Sequence, residues 1–285
     1  MTKLIKALWD LTRFDHEIML VIAIFVSFII SGGNLAENFL KLLLACLTAL
    51  FIGSAAFALN DYCDKEIDAR NKRKDRPIVR GDIKARTALV LSIMLFSIGI
   101  VLSAFLNLSC LLIVIFTACL AIVYDLKIKK LKMIGNLYIA YTMAIPFPFG
   151  SLVARESITH VIWILFSIAF LAGMGREIMK DMLDIKGDRM AGVRSIPVML
   201  GEKLSKNLIS TFYMSAIVLS LAPFFMEGAY FHDFVYILLI IVADAIFFMV
   251  TLSLNLKAFP LKACRKLTLV GMFVALVAFI AGALI

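Results

Sequence analysis

The chain has 285 residues, 62% of them hydrophobic and only 17% charged, where soluble domains run at about half apolar and about a quarter charged. No soluble core absorbs that excess. The formal net charge of +9 lies in short segments between apolar stretches, which excludes a nucleic-acid footprint and points to membrane topology and anionic partners at a membrane face.

Crossing the hydrocarbon layer takes about 20 apolar residues per helix. In chain order, such stretches are predicted near 17–33, 38–59, 86–106, 109–124, 133–154, 158–178, 206–225, 233–255 and 266–285. They define an all-α fold, a polytopic membrane helix bundle of about nine transmembrane helices forming one domain over residues 1–285. The first stretch reads as a retained helix and not as a signal-peptide core: its lead holds Asp10, Asp15 and Glu17, and no small-residue cleavage site follows. All but Lys41 and Arg155 of the 29 Lys and Arg residues fall in the N-terminal segment or after the second, fourth, sixth and eighth stretches. Positive charge accumulates on the cytoplasmic side of short loops, so the expected arrangement in the cell membrane has the N-terminus and these loops inside and the C-terminus outside.

Cys46, Cys63, Cys110, Cys119 and Cys264 form no CxxC pair and read as small packing residues. His16, His160 and His232 are too scattered for a zinc site. The sequence holds neither a glycine-rich phosphate loop nor a Ser-His-Asp pattern.

The loops after the second and sixth stretches carry a repeat. An offset of 120 pairs Asp61 with Asp181, Asp64 with Asp184, Asp68 with Asp188, Pro77 with Pro197, Gly81 with Gly201 and Asp82 with Glu202. Two similar helix-plus-loop units are therefore expected to face each other across the bundle, as internal repeats do around membrane substrate sites. Asn60, Asp64 and Asp68 share one helical stripe, as do Asp181, Asp184 and Asp188. A helix continuing past each apolar stretch would carry a ridge of carboxylates into the cavity mouth. Carboxylates about 4 Å apart repel by roughly 4 kcal/mol at an effective dielectric near 20, so a positive partner is needed. Oxygen-only ligands suit a hard cation, and Mg²⁺ binds through a few carboxylates plus water and substrate phosphates. Calcium, or salt bridges to the abundant Lys and Arg, remain open at this stage.

These residues resemble the UbiA superfamily of intramembrane prenyltransferases. The resemblance rests on Asn60-Asp61-Tyr62-Cys63-Asp64-Lys65-Glu66-Ile67-Asp68 and Lys180-Asp181-Met182-Leu183-Asp184-Ile185-Lys186-Gly187-Asp188. Arg76-Pro77-Ile78 with Gly81, and Tyr124 with Lys127, Lys129 and Gly135-Asn136-Leu137, add to it. The resemblance implies two Mg²⁺ ions held by Asn60, Asp64, Asp68, Asp181, Asp184 and Asp188, with Asp64, Asp68, Asp184 and Asp188 carrying catalysis. Because guanidinium and ammonium groups suit phosphate oxygens, Arg76, Lys127, Lys129 and Arg176 are candidates for diphosphate contacts and Arg13 or Lys180 for an acceptor phosphate, with Tyr124 of the matched segment a further substrate-binding candidate. Asp61 is a candidate acceptor of the hydroxyl proton, alongside the diphosphate itself.

Within the superfamily, Arg176-Glu177-Ile178-Met179-Lys180-Asp181, Gly187-Asp188, Ser195-Ile196-Pro197, and the basic turn from Lys257 to Lys266 are most similar to archaeal digeranylgeranylglyceryl phosphate synthases. That subfamily implies transfer of a geranylgeranyl group from its diphosphate to geranylgeranylglyceryl phosphate in archaeal ether-lipid synthesis. The expected partners are thus a prenyl diphosphate, a lipid or aromatic acceptor and membrane lipids, with no nucleic acid and no obligatory protein partner. Three alternatives are carried. Prenylation of an aromatic acceptor would keep the family, though Arg13-Phe14-Asp15-His16 departs from the pattern of its aromatic-acceptor members. A cation transporter would place acids near the midplane, where Asp244 is the clear candidate. A CDP-alcohol phosphotransferase needs Asp-Gly after the first acidic pair, but Lys65 follows Asp64.

Overall fold

In hydrocarbon no water satisfies a peptide group, so apolar runs of this length close their hydrogen bonds within themselves as helices. The computed structural model describes residues 3–190, 192–256 and 258–284; Lys257 of the expected basic turn and Ile285 of the last stretch lie outside the described residues. The described residues contain helices and no strand. In order they are α1 Lys3–Thr12, α2 Phe14–Ile30, α3 Leu35–Arg70, α4 Pro77–Arg80, α5 Ala85–Ala104, α6 Leu108–Leu126, α7 Lys132–Ala144, α8 Pro146–Arg155, α9 His160–Met190, α10 Ile196–Phe225, α11 Phe234–Leu256 and α12 Leu261–Leu284.

By length and composition, 8 segments among the described residues suffice to cross a membrane, counting α7 and α8 together as Lys132–Arg155. The remaining expected stretch is α2, whose 17 residues reach about 26 Å, just short of the roughly 30 Å hydrocarbon core. The fifth stretch is broken where Pro146 and Pro148 open α8; a proline lacks the N–H an interior turn needs but suits a helix start. The helices pack in a ring: α2 on α3, α3 on α5, α5 on α6, α6 on α7 and α8, α7 on α9, then α10, α11 and α12, which returns to α2. Apolar side chains such as Leu112 and Phe116 on α6 and Leu238 and Ile241 on α11 face outward, as a lipid-facing surface requires.

Where helices touch, small residues let their backbones approach. Ser92 of α5 donates to the Ala55 carbonyl at 2.8 Å. Gly150 of α8 meets α2 most closely, since a Cβ there would run into the Ile24 carbonyl oxygen and the Ser27 hydroxyl. A backbone oxygen cannot swing aside. Gly150→Ala is therefore expected to destabilise the protein by about 1–3 kcal/mol through overpacking, read as a lower unfolding midpoint in detergent.

Three helices are much longer than the bilayer, α3, α9 and α10, and the first two carry the acidic motifs. At 36 residues α3 spans about 54 Å, and at 31 residues α9 spans about 46 Å. Because the apolar part of each comes first, the overhang is its C-terminal end, which carries the acidic motif. The repeat extends to the backbone beyond: Pro77 opens α4 and Pro197 opens α10, and Gly81 and Gly201 follow with φ of 77° and 80°. Nothing lies within 4 Å of a Cβ added at either glycine, so it is the left-handed φ that calls for glycine there. This turn folds the segment after α3 back onto the acidic overhang.

Candidate active site

On α3 the outer acids of the motif point inward: Asp61 is 1% exposed and Asp68 5%. Burying them is tolerable only with paired charges. Arg76, held at the start of α4 by Pro77, supplies both, with Nη1 2.8 Å from Asp61 Oδ1 and Nε 3.4 Å from Asp68 Oδ2. Arg13, in the turn before α2, donates to Asp61 Oδ1 at 3.0 Å and Asn60 Oδ1 at 3.3 Å, and its guanidinium stacks 4.5 Å over the Phe57 ring. Burial pushes the Arg13 pKa down, the Arg76 charge pushes it further, and Asp61 opposes both. Asp64 is more open and is paired with Lys129.

The second motif repeats this arrangement with different residues. Asp181 is 1% exposed and Asp188 7%, and Lys132 at the start of α7 bridges them, its Nζ 3.2 Å from Asp181 and 2.9 Å from Asp188. Asn136 Nδ2 donates to Asp181 Oδ2 at 2.8 Å. Asp184, the counterpart of Asp64, is exposed and makes no ion pair or hydrogen bond among the described residues. In each motif, then, one cation bridges the two outer acids and the middle acid is the more open.

One hairpin touches both motifs. At its start Asp125 Oδ1 accepts from Asn60 Nδ2 at 2.7 Å and Lys129 pairs with Asp64; at its end Lys132 and Asn136 hold Asp181. Tyr124 lies between them, stacked on Tyr138 with ring centroids 4.7 Å apart and in electrostatic reach of Asp64, Asp125, Asp181 and Glu177. The two acidic overhangs therefore border one region beside Tyr124.

Of the residues expected from sequence, the structure joins Asn60, Asp61, Asp64, Asp68, Arg13, Arg76 and Lys129 in one network, and Asp181 and Asp188 in the other. It leaves three basic residues outside both. Lys127 is exposed at the end of α6, Lys180 pairs with Glu177 at 2.7 Å, and Arg176 turns to α12, donating to the Arg265 carbonyl at 2.8 Å. Asp244 accepts a 2.7 Å hydrogen bond from Ser220 between α10 and α11. Sequence reasoning missed Asp125, Lys132 and the contact made by Asn136. Asp125 had a signal in its position, an acid directly after Tyr124 at the end of an apolar stretch; Lys132 had only its charge.

The donor set fits a hard divalent cation. Its ligand atoms are all oxygens, and Asp61 Oδ2 and Asp68 Oδ2 are buried with no hydrogen-bond partner among the described residues. Those residues bring no three acids together at metal-ligand spacing; the motif carboxylates, Asp184 apart, are held by basic side chains. The salt bridges left open from sequence are thus formed, and they mark where a cation would be received.

A nine-stretch helical ring with two acid-bearing overhangs bordering one tyrosine is the architecture of a membrane-embedded prenyltransferase. The UbiA prenyltransferase family matches residues 20–277, and the chain belongs to it. The digeranylgeranylglyceryl phosphate synthase of Archaeoglobus fulgidus is 39% identical over 281 residues, covering 98% of this chain and 96% of that one. A solved structure described as giving insight into digeranylgeranylglyceryl phosphate synthase in membranes superimposes with a TM-score of 0.80 at 32% identity, covering 99% of both chains. A UbiA homologue from Archaeoglobus fulgidus bound to DMAPP and Mg²⁺ shares the fold, with a TM-score of 0.69 at 15% identity over 98% of this chain and 99% of that one. The chain is a multi-pass membrane protein of this family.

Proposed function

We propose that the chain transfers a geranylgeranyl group from its diphosphate to the free hydroxyl of geranylgeranylglyceryl phosphate, in the presence of Mg²⁺, working as a single unit over residues 1–285. The observation that carries this reading is the hairpin from Tyr124 to Asn136, which reaches Asn60 and Asp64 on one overhang and Asp181 and Asp188 on the other. A substrate held by both overhangs lies beside it. The name of the 39%-identical archaeal relative, matched over nearly the full length of both chains, supports the same donor and acceptor.

Asn60, Asp64 and Asp68 on α3 and Asp181, Asp184 and Asp188 on α9 would hold two Mg²⁺ ions. When bound, Mg²⁺ supplies charge neutralisation that makes diphosphate a better leaving group. Lys129, Arg76 and Lys132 sit on the same carboxylates. They are therefore placed to turn from carboxylate to phosphate oxygens when substrate enters, keeping the charge of the site balanced. Tyr124 fixes the reacting end of the prenyl chain between the two overhangs. Arg13, held against Asp61, and Lys127 and Lys180 add positive charge around the site. The C1–O bond to diphosphate breaks, the acceptor oxygen bonds to C1, and the hydroxyl proton leaves to diphosphate or a motif carboxylate. Apolar walls keep water from the reacting carbon. With basic residues clustered at the motif end, that end faces the cytoplasm and the C-terminus lies outside.

Purified protein incubated with geranylgeranyl diphosphate, Mg²⁺ and either geranylgeranylglyceryl phosphate or an aromatic acid is expected to yield the doubly alkylated glyceryl phosphate. Product from the aromatic acid alone would replace the ether-lipid reading with the aromatic one. Ion flux in vesicles without prenyl transfer would favour a transporter, which no observation here supports.

A further inference from the structure

Outside both acidic networks the structure holds a second concentration of positive charge, whose neighbouring carboxylate, Glu177, is paired with Lys180. Arg176 on α9 is 6% exposed, and its Nη1 donates to the Arg265 carbonyl at 2.8 Å and to Thr268 Oγ1 at 3.4 Å, both on the first turns of α12. Neither Arg176 nor Arg265 makes an ion pair with a carboxylate among the described residues, because the neighbouring Glu177 is taken by Lys180. The Arg265 Nε is buried and lacks an acceptor. The Tyr213 hydroxyl, on α10, lies beside Thr268 without reaching hydrogen-bond geometry and is also buried without a partner. Gly175 makes room for that ring, since a Cβ there would strike it. Two guanidinium groups, within electrostatic range of each other, and a buried hydroxyl point to an anion as the ligand: donors this deep are retained when something accepts from them.

The location restricts what that anion is. The C-terminal half of α9 and the N-terminal turns of α12 lie at the same end of the bundle as the acidic motifs, since successive spanning helices alternate in direction. His16 on α2 is in electrostatic reach of Arg176, Arg265 and Arg13. The one carboxylate beside this cluster among the described residues, Glu177, is paired with Lys180, so a diphosphate that depends on Mg²⁺ belongs to the acidic site. A phosphomonoester suits this one, because two guanidinium groups and a hydroxyl match its charge and its oxygens.

We infer that Arg176 and Arg265, with Tyr213 and Thr268, form a metal-independent site for the phosphomonoester of the acceptor lipid, separate from the diphosphate site. This rests on the proposed reaction, in which the acceptor carries a phosphate. Arg265 decides acceptor recognition, and Arg176 both binds the phosphate and ties α9 to α12.

The test compares wild type with Arg265→Gln. The tie to Arg176 uses the Arg265 backbone carbonyl and survives this substitution, so the variant is expected to fold. Its KM for geranylgeranylglyceryl phosphate should rise by roughly 10- to 100-fold, the effect of one lost charge-assisted contact, with the KM for geranylgeranyl diphosphate unmoved and partial rescue by Arg265→Lys. In EDTA, geranylgeranylglyceryl phosphate should raise the unfolding temperature of wild type but not of Arg265→Gln. Geranylgeranylglycerol without the phosphate should raise neither to that extent, and millimolar inorganic phosphate should compete. Equal acceptor KM in both proteins, or acceptor binding that requires Mg²⁺, would overturn the inference while leaving the reaction intact. Wild type that makes no ether product at all would instead overturn the proposed reaction, and the metal-free binding arm would still decide whether this site takes a phosphomonoester.

Discussion

Asp184→Ala is expected to lower kcat for prenyl transfer by about 100- to 1,000-fold, the usual effect of removing one group that stabilises charge developing on a leaving group, while the unfolding midpoint stays within about 0.5 kcal/mol of wild type. The two halves of this expectation have separate causes. Asp184 is exposed and has no partner among the described residues, so the fold loses little with it. Its repeat counterpart Asp64 differs, because Asp64→Ala also frees Lys129; the same loss of turnover should come with a small shift in stability. Steady-state kinetics beside thermal unfolding in detergent separates the two. Near-normal turnover in both variants would mean that the middle acids do not hold the ions.

Asp61→Ala is expected to act mainly on the fold. The carboxylate is 1% exposed and receives Arg13 at 3.0 Å and Arg76 at 2.8 Å through one oxygen. Removing it leaves Arg13 with no carboxylate partner among the described residues, and Arg76 with only its longer contacts to Asp68 and Asp75. Breaking a buried ion pair from one side costs about 3–5 kcal/mol, an effect visible as a lowered midpoint in chemical denaturation. Asp61→Asn, which keeps the shape and an acceptor oxygen, should lose less. A variant as stable as wild type would show that Arg13 and Arg76 find other partners, and would return Asp61 to the role of proton acceptor considered from sequence.

Much of this was legible in the sequence, and the remainder was not, for definite reasons. Apolar length gave the spanning helices, and the 120-residue offset gave two equivalent units whose equivalence extends to the positive φ of Gly81 and Gly201. Helical periodicity alone would have separated Arg176 from the acidic face. It lies five residues before Asp181, about 140° around the helix, whereas Glu177 shares the face of Asp181. The break between α7 and α8 was hidden because Pro146 and Pro148 sit inside an otherwise continuous apolar run, where proline is tolerated in membrane helices. Lys129 and Lys132 were indistinguishable by composition from the basic residues that set topology. Which acid each one meets depends on how α6 and α7 are brought beside α3 and α9, and that is a tertiary contact with no local signature. Asp125 was obscured by the same circumstance, since its partner Asn60 lies 65 residues away.

The two overhanging helix ends are proposed to share one substrate through divalent ions. The most direct measurement of that sharing is a structure of the protein with Mn²⁺ and a non-reactive thio analogue of geranylgeranyl diphosphate, with the ions located by anomalous scattering. The account predicts metal peaks at Asp64 and Asp68 on α3 and at Asp184 and Asp188 on α9, a diphosphate between them beside Tyr124, and Lys129 moved from Asp64 onto a phosphate oxygen. Ions bound at only one of the two helix ends, or a diphosphate held away from both, would contradict it.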